Sequence, residues 1–153
     1  MAKGATFKVV DKFAKSMKRE SAGPQPRLLV GITEKTANDP HPKSDKPVGT
    51  IAFFNEYGTI TTPARSFIRD WVDGNIENIA RTLGNDRLRA LKTNENFKST
   101  LERRGREYRA AIIKRIEARI PPPNALSTLA QKSGDIPLID TETLINAIIY
   151  EVK

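Results

Sequence analysis

At 153 residues, with no cysteine and a single histidine, the chain excludes disulfide bonds, thiolate metal sites and the common nucleophile–histidine arrangements. Its 26 lysines and arginines stand against 18 acidic residues, and the resulting net charge of +8 favours polyanions or acidic protein surfaces as partners. A hydrophobic share of 38 % predicts one modest core with polar segments around it. We therefore expect a single domain over residues 1–153, synthesised in a reducing cytoplasm and without a membrane-spanning segment.

The first third of the chain predicts a helix, a strand and a loop. Residues 6–20 place apolar side chains at helical spacing, which predicts an amphipathic helix on the domain's own core. Residues 27–33 predict a central strand, in which Gly31 indicates a bulge or a close approach by a helix. Residues 34–50 hold three prolines and predict a long polar loop that becomes ordered against a neighbouring subunit or stays disordered. His41 lies in this loop without a second metal ligand nearby, so no metal site is expected.

The middle of the chain predicts two helices joined by an extended segment. The first helix covers residues 48–57 and ends at Gly58, and residues 59–68 are expected to be extended. The second helix covers residues 70–85, and Trp71, just before its apolar stripe, is expected to anchor the core rather than an interface. Its apolar stripe consists of Val72, Ile76, Ile79, Ala80 and Leu83.

A long helix is predicted from residue 96 to residue 120, where Pro121 ends it. It would span about 35 Å, enough to cross the domain. One side of this helix is strongly basic, and its candidate contact residues are Arg103, Arg104, Arg106, Lys114 and Arg115. This basic face is typical of a solvated or subunit-facing surface, and the open alternative is a contact for DNA or for an acidic partner, although it lacks aromatic residues on which bases could stack.

The C-terminal part predicts a second long loop, a short helix and a strand. The loop covers residues 121–138, and Asp140 or Thr141 is expected to cap the short helix. Residues 149–153 predict a strand paired with the central strand. The predicted fold is therefore α+β, with a small, mostly antiparallel sheet of three or four strands packed against two long helices and flanked by extended polar loops.

The sequence contains none of the patterns that carry catalysis. It has no phosphate-binding glycine loop, no metal-ligand spacing and no nucleophile–base pair. Acidic residues of the long helix lie among arginines, where ion pairing accounts for them. We therefore predict no enzymatic activity, no catalytic residue and no cofactor.

Two blocks of sequence resemble a known family. The first block reads Asn55-Glu56-Tyr57-Gly58-Thr59 and, after a short link, Pro63-Ala64-Arg65-Ser66-Phe67-Ile68-Arg69. The second reads Pro137-Leu138-Ile139-Asp140-Thr141, with Lys132 before it and Leu144 after it. In this order they resemble the minor tail protein Z-like group, the neck and tail-completion proteins of tailed bacteriophages. Two positions depart from that pattern, because Ser66 replaces a second proline and Glu142 replaces a glycine.

The resemblance implies a structural protein of the virion, located in the neck between head and tail. It implies a ring of copies of this chain, expected to be a hexamer, whose partners are the head connector or stopper and the tail terminator or tube. Non-specific contact with packaged DNA is also expected. The residues it suggests as subunit contacts are Asn55, Glu56, Tyr57, Arg65 and Arg69.

Two alternatives stay open at this point. Glu56 and Arg65 could instead pair within one subunit and fix the connection after the first helix. The protein could also be a small basic nucleic-acid-binding protein that uses the arginine-rich helix over residues 100–119.

Overall fold

The structure, a computed structural model, describes residues 15, 18, 23–93, 95–130, 132 and 134–153. In these ranges five helices and two strands follow one another along the chain: β1 (Leu28–Gly31), α1 (Val48–Tyr57), α2 (Arg69–Thr93), α3 (Phe97–Glu117), α4 (Leu126–Leu129), α5 (Thr143–Ala147) and β2 (Ile149–Val152). The helix predicted for residues 6–20 lies outside the described residues, apart from Lys15 and Lys18, which are both helical and exposed.

The sheet joins the two ends of the described chain. β1 and β2 are antiparallel, and their register runs from Leu28 opposite Val152 to Gly31 opposite Ile149. One residue further out, the Arg27 N–H donates to the Lys153 carbonyl at 2.8 Å. This pairing confirms the prediction that the C-terminal strand adds to the first strand.

The prediction of three or four strands is wrong, because the sheet of the described ranges has two. Residues 59–68, predicted as extended, form no strand. Their backbone donors are used elsewhere: the Thr59 N–H donates to the Thr62 carbonyl at 2.8 Å, and the Phe67 N–H donates to the Glu56 carboxylate at 3.0 Å. β1 is therefore paired on one side by β2 and is not a central strand.

The helix α3 carries the sheet on one side and the rest of the core on another. At Gly105 the sheet comes so close that a Cβ there would lie 2.5 Å from Cδ2 of Tyr150. The main core combines residues of α1, α3 and α5 with neighbouring segments: Val48, Ala52, Phe67, Ile112, Ile116, Ile120, Leu144, Ala147 and Ile148. Trp71 packs against this core, with its ring centroid 5.5 Å from that of Tyr108, which confirms its predicted role as a core anchor.

The two long helices are observed, and α2 is longer than predicted. It continues beyond residue 85 to Thr93, because its last turns pack against α3 in a second cluster formed by Ala90, Phe97 and Leu101. α3 begins after Asn96, whose side chain accepts a hydrogen bond from the Lys98 N–H at 2.9 Å. No helix of the described ranges is both long and apolar enough to cross a membrane.

The polar loop after β1 is held to the core by hydrogen bonds within the chain. The Thr36 hydroxyl donates to the Ala147 carbonyl at 2.7 Å, and the Val48 N–H donates to the Asp39 carbonyl at 3.0 Å. The loop after α3 contains the short helix α4. Lys43 of the first loop pairs with Asp140, which follows the second loop, at 3.0 Å.

Candidate functional site

Glu56 is the centre of the first motif block. It lies one residue before the end of α1, its side chain is buried, and the residue is 8 % exposed. Its carboxylate accepts four hydrogen bonds, from the Ser66 hydroxyl (2.6 Å) and from the N–H groups of Phe67 (3.0 Å), Ile68 (3.2 Å) and Arg69 (2.7 Å). These N–H groups lie at the N-terminus of α2, where helical donors lack partners within the helix and the helix dipole favours an anion. Glu56 therefore caps α2 from the end of the preceding helix.

The link between the two helices closes tightly around this carboxylate. Gly58 has a positive φ of 77°, and a Cβ at this position would lie 2.9 Å from the Ala64 nitrogen. The Arg65 N–H donates to the Asn55 carbonyl at 2.6 Å, and the Asn55 side chain donates to the Ile51 carbonyl at 2.8 Å. The residues of the first block thus form the tight connection between α1 and α2.

Arg65 joins the first motif block to the proline segment that follows α3. It is buried, and its guanidinium donates to the carbonyl of Pro122 from Nε (2.8 Å) and to the carbonyl of Pro123 from Nη2 (3.0 Å). Burial lowers the pKa of Arg65 from its usual value, and the two carbonyls compensate part of the lost hydration. Glu56 and Arg65 therefore both make contacts within one subunit, but with separate partners rather than with each other.

The second block is held by lysines. The Lys132 ammonium donates to the Ile136 carbonyl at 2.9 Å, and burial lowers its pKa. The prediction that Asp140 or Thr141 caps the short helix is wrong, and Asp140 instead pairs with Lys43 from the first loop at 3.0 Å. α5 begins after Glu142 instead, which has a left-handed backbone with φ 58° and ψ 0°. The position where the related pattern has glycine thus keeps a positive φ in this chain, although the residue is glutamate.

Next to this internal framework lies an exposed aromatic face, which we define as Phe53, Tyr57 and Arg69. Phe53 is 59 % exposed and Tyr57 is 55 % exposed, and their ring centroids are 4.8 Å apart. The Arg69 guanidinium lies 5.0 Å from the centroid of the Tyr57 ring, within the range of a cation–π interaction. An open groove of about 310 Å³ borders this face, and its apolar floor includes Ile32, Ala52, Phe67 and Ile68.

The sequence analysis selected Tyr57 and Arg69 but missed Phe53. Phe53 precedes Tyr57 by one helical turn, and residues four apart in a helix lie on the same side, so this spacing could have identified Phe53. Asn55, Glu56 and Arg65 are turned to internal partners, whereas Tyr57 and Arg69 remain available to another molecule. Their role as subunit contacts stays a prediction.

The basic face of α3 is largely engaged by carboxylates. Arg104 Nε lies 2.6 Å from Asp86 Oδ2, and Arg104 Nη1 lies 2.7 Å from Glu107. Arg103 lies 2.9 Å from the same Glu107. The hydrogen bond from Arg104 holds the pKa of the buried Asp86 carboxyl below its usual value. Asp86 lies on the buried side of α2. A buried carboxylate needs a partner, so its pairing with an arginine of α3 could have been predicted from that position.

The remaining predicted basic residues have different surroundings. Arg115 donates to the Ser66 carbonyl at 3.3 Å and pairs with Asp70 at 2.9 Å, which ties α3 to the start of α2. Arg106 is exposed and donates to the Tyr150 hydroxyl at 3.3 Å. Lys114 is exposed as well. Three of the five residues predicted to form one basic face thus pair with carboxylates, and the other two are exposed.

No protein-family model, curated protein or solved structure matches this chain. The resemblance to phage neck proteins therefore depends on the two motif blocks alone. What the structure adds is that residues of both blocks pack into the same core cluster, Phe67 from the first and Leu138, Ile139 and Leu144 from the second.

Proposed function

We propose that this chain is a structural protein of a tailed bacteriophage, located in the virion neck, where it completes the tail and joins it to the DNA-filled head. The observation that carries the proposal is that the two motif blocks share one core cluster, to which the first block contributes Phe67 and the second contributes Leu144 with Leu138 and Ile139 packed against it. The motif residues hold the connection between α1 and α2 in one conformation. Such structural roles are what we expect of motif residues in a structural protein. We propose no catalytic role and no cofactor.

In this proposal several copies form a ring, with six as the expected number. A ring requires a heterologous interface, in which one patch of each subunit meets a different patch of the next. The aromatic face suits one of these patches, because tyrosine, phenylalanine and arginine are enriched at the centres of protein interfaces. The framework beneath it, fixed by Glu56, would present this face in a constant geometry.

The partners proposed beyond the ring are the head connector or stopper on one side and the tail terminator or tube on the other. The net charge of +8 supports acidic surfaces among them, and it also supports non-specific contact with packaged DNA. Such contacts would draw on exposed basic residues such as Arg106 and Lys114.

The test is a complementation experiment with the phage that encodes this chain. We expect Tyr57→Ala combined with Arg69→Ala to fold normally but to leave filled heads and tails unjoined, because both side chains are exposed. Leu88→Ala removes an apolar side chain that is 45 % exposed elsewhere on the surface, and it should join heads to tails as the wild type does. Full infectivity of the double variant would contradict the proposed interface.

The alternative proposal is a nucleic-acid-binding protein that uses residues 100–119. The charge surplus supports it, but the engagement of Arg103, Arg104 and Arg115 by carboxylates counts against it. A titration of DNA binding against salt separates the two proposals. A specific binder keeps sequence preference at physiological salt, with a steep logarithmic slope, whereas a neck protein should bind weakly and without preference.

A further inference from the structure

The groove beside the aromatic face has the lining of a site for an apolar side chain. Ala37, Gly49 and Ala52 contribute to this lining, and these small residues leave a space of about 310 Å³ between their larger neighbours. Among the described lining residues the only charged one is Glu56, whose carboxylate already accepts four hydrogen bonds from residues at and before the start of α2. A charged ligand would therefore find no free partner there, and the groove favours an apolar occupant.

The chain carries a side chain of this kind outside the groove. Leu126, in the short helix α4, is 85 % exposed. None of the described residues that line the groove belongs to α4, so Leu126 does not fill the groove of its own chain. An apolar side chain that remains in water and an apolar groove that remains open can be satisfied together only by another copy of the chain.

Leu126 is presented on a fixed turn. The N–H groups of Thr128 and Leu129 both donate to the Ala125 carbonyl at 3.0 Å. The Asn124 side chain donates to the Asp135 carbonyl at 3.1 Å, which ties the start of this turn to the loop that follows it. A side chain held in this way loses little conformational freedom on binding.

The segment around Leu126 carries no charge. Between Arg119 and Lys132 twelve residues follow one another without an acidic or basic side chain, the longest such run in the sequence. Most of residues 121–130 are exposed. In a chain of which 29 % is charged, an exposed run of this kind is typical of an interface centre, where charged residues are depleted. Its exposed prolines also suit an aromatic-lined groove, because such grooves bind proline-rich segments.

The other strongly exposed aliphatic side chains of the described residues suit the groove less well. Ile76 is 53 % exposed, but the depression beside it is lined by charged side chains, namely Asp73, Glu77 and Arg81. Ile60 is fully exposed, but it lies in the link that begins directly after Tyr57, next to the aromatic face itself. A heterologous contact requires a second patch that is separate from the first. Leu126 and its uncharged segment meet this requirement.

We propose that Leu126 of one copy of this chain inserts into the groove beside Phe53 and Tyr57 of the next copy, and that its uncharged segment covers the aromatic face. Because the groove and Leu126 are separate patches, each copy binds one neighbour through each of them, which is the contact pattern of a ring. This inference rests on the proposed function, in which such a ring forms in the neck, and it names the second patch of that ring.

Cross-linking in phage particles tests the contact. The chain has no cysteine, so two engineered cysteines give a specific readout. Ala37→Cys, in the lining of the groove, and Ala125→Cys, next to Leu126, leave Leu126 and both aromatic rings in place. In particles of the proposed parent phage, a short thiol cross-linker should join the double variant into a ladder of covalent multimers. Each single variant should stay monomeric, and so should Ala37→Cys combined with Leu88→Cys.

A second measurement needs no cysteine. Leu126→Asp should be depleted from particles roughly ten-fold or more relative to the wild type, because it would place a charge in an apolar groove. Leu88→Asp, at an exposed leucine of α2, should be incorporated like the wild type. Equal incorporation of both variants would overturn the inference.

The outcomes separate this inference from the proposed function. A double cysteine variant that is present in particles but stays monomeric would overturn the inference and leave the neck function standing. Dimers of Ala125→Cys alone, or a ladder with Leu88→Cys, would overturn it as well, because they would show a contact between equivalent patches or an unspecific reaction. Absence of the wild-type chain from particles would overturn the neck function, and this inference with it.

Discussion

Glu56 shows how one buried carboxylate can determine the path of a chain. It accepts hydrogen bonds from three successive backbone N–H groups and one hydroxyl, and these contacts replace the ladder hydrogen bonds of a strand. The sequence could place Glu56 at the end of a helix but could not show where its carboxylate points. Its acceptors meet donors that are 10 to 13 residues away, and nothing in the local periodicity reports that contact.

Replacement of Glu56 by glutamine should therefore destabilise the fold. The variant keeps the size of the side chain, but its amide NH₂ would face backbone donors and leave them without an acceptor. Each buried donor left unpaired costs about 1–3 kcal/mol, so we expect the free energy of unfolding to fall by about 2 kcal/mol or more. Urea denaturation would measure this change. Glu34→Gln, the same change at an exposed position, should alter it by less than about 0.5 kcal/mol. Equal effects of both variants would contradict the capping role.

A substitution at Glu142 is expected to stabilise the fold rather than destabilise it. The φ of 58° at this residue is unfavourable for a residue with a Cβ, and its side chain is exposed. Glu142→Gly should raise the free energy of unfolding by about 0.5–1 kcal/mol, because relief of the backbone strain exceeds the added entropy of the unfolded chain. Glu142→Ala keeps the Cβ and should bring no such gain. Thermal unfolding of both variants would measure the difference, and a gain in the alanine variant would point to the side-chain charge instead.

At the scale of elements, the long helices and the pairing of the first and last strands were predictable, but the number of strands in the sheet was not. α1 and α3 follow from apolar periodicity and from their ends, at Gly58 and at Asn96. The extended segment before α2 was misassigned, because strand propensity there is overridden by tertiary hydrogen bonds to Glu56. The contact of Arg65 with the proline segment could not be predicted from the sequence either, since it spans 57 residues and involves backbone carbonyls.

The fit between α3 and the sheet gives a matched pair of glycine substitutions. Gly105→Ala places a methyl group 2.5 Å from the Tyr150 ring and 3.0 Å from a methyl group of Leu28, and it should destabilise by about 1–3 kcal/mol. At Gly84 of α2, no atom of the described residues lies within 4 Å of the added methyl group. Gly84→Ala should therefore stabilise by up to about 1 kcal/mol, through helix propensity alone. Differential scanning calorimetry would compare the two, and the same sign for both would contradict the close packing of the sheet on α3.

At the scale of the whole molecule, the ion pairs between α2 and α3 make the free energy of unfolding depend on pH. The pKa of Asp86 is held below its usual value by Arg104, so the folded state binds a proton less readily than the unfolded state. The stabilisation is fully present above the unfolded pKa of about 3.9, and it is lost as the pH falls through the folded pKa.

Asp86→Asn should therefore lower the free energy of unfolding by about 1–3 kcal/mol at pH 7. The difference between the variant and the wild type should shrink as the pH falls below about 4. Denaturation at a series of pH values would show this convergence. Asp39→Asn, at an exposed position, serves as the control and should stay close to the wild type throughout. A constant difference down to pH 2 would contradict the proposed source of the stabilisation.

The whole molecule combines a rigid internal framework, an exposed aromatic face and a surplus of positive charge. We propose that this combination serves in the neck of a tailed bacteriophage. Quantitative mass spectrometry of purified particles of the proposed parent phage tests this proposal, with the portal protein as the internal standard. We expect a constant copy number of about half that of the portal protein, as a hexameric ring on a portal of twice as many subunits would give. Absence of the protein from particles, together with its recovery on DNA in infected lysates, would contradict the account.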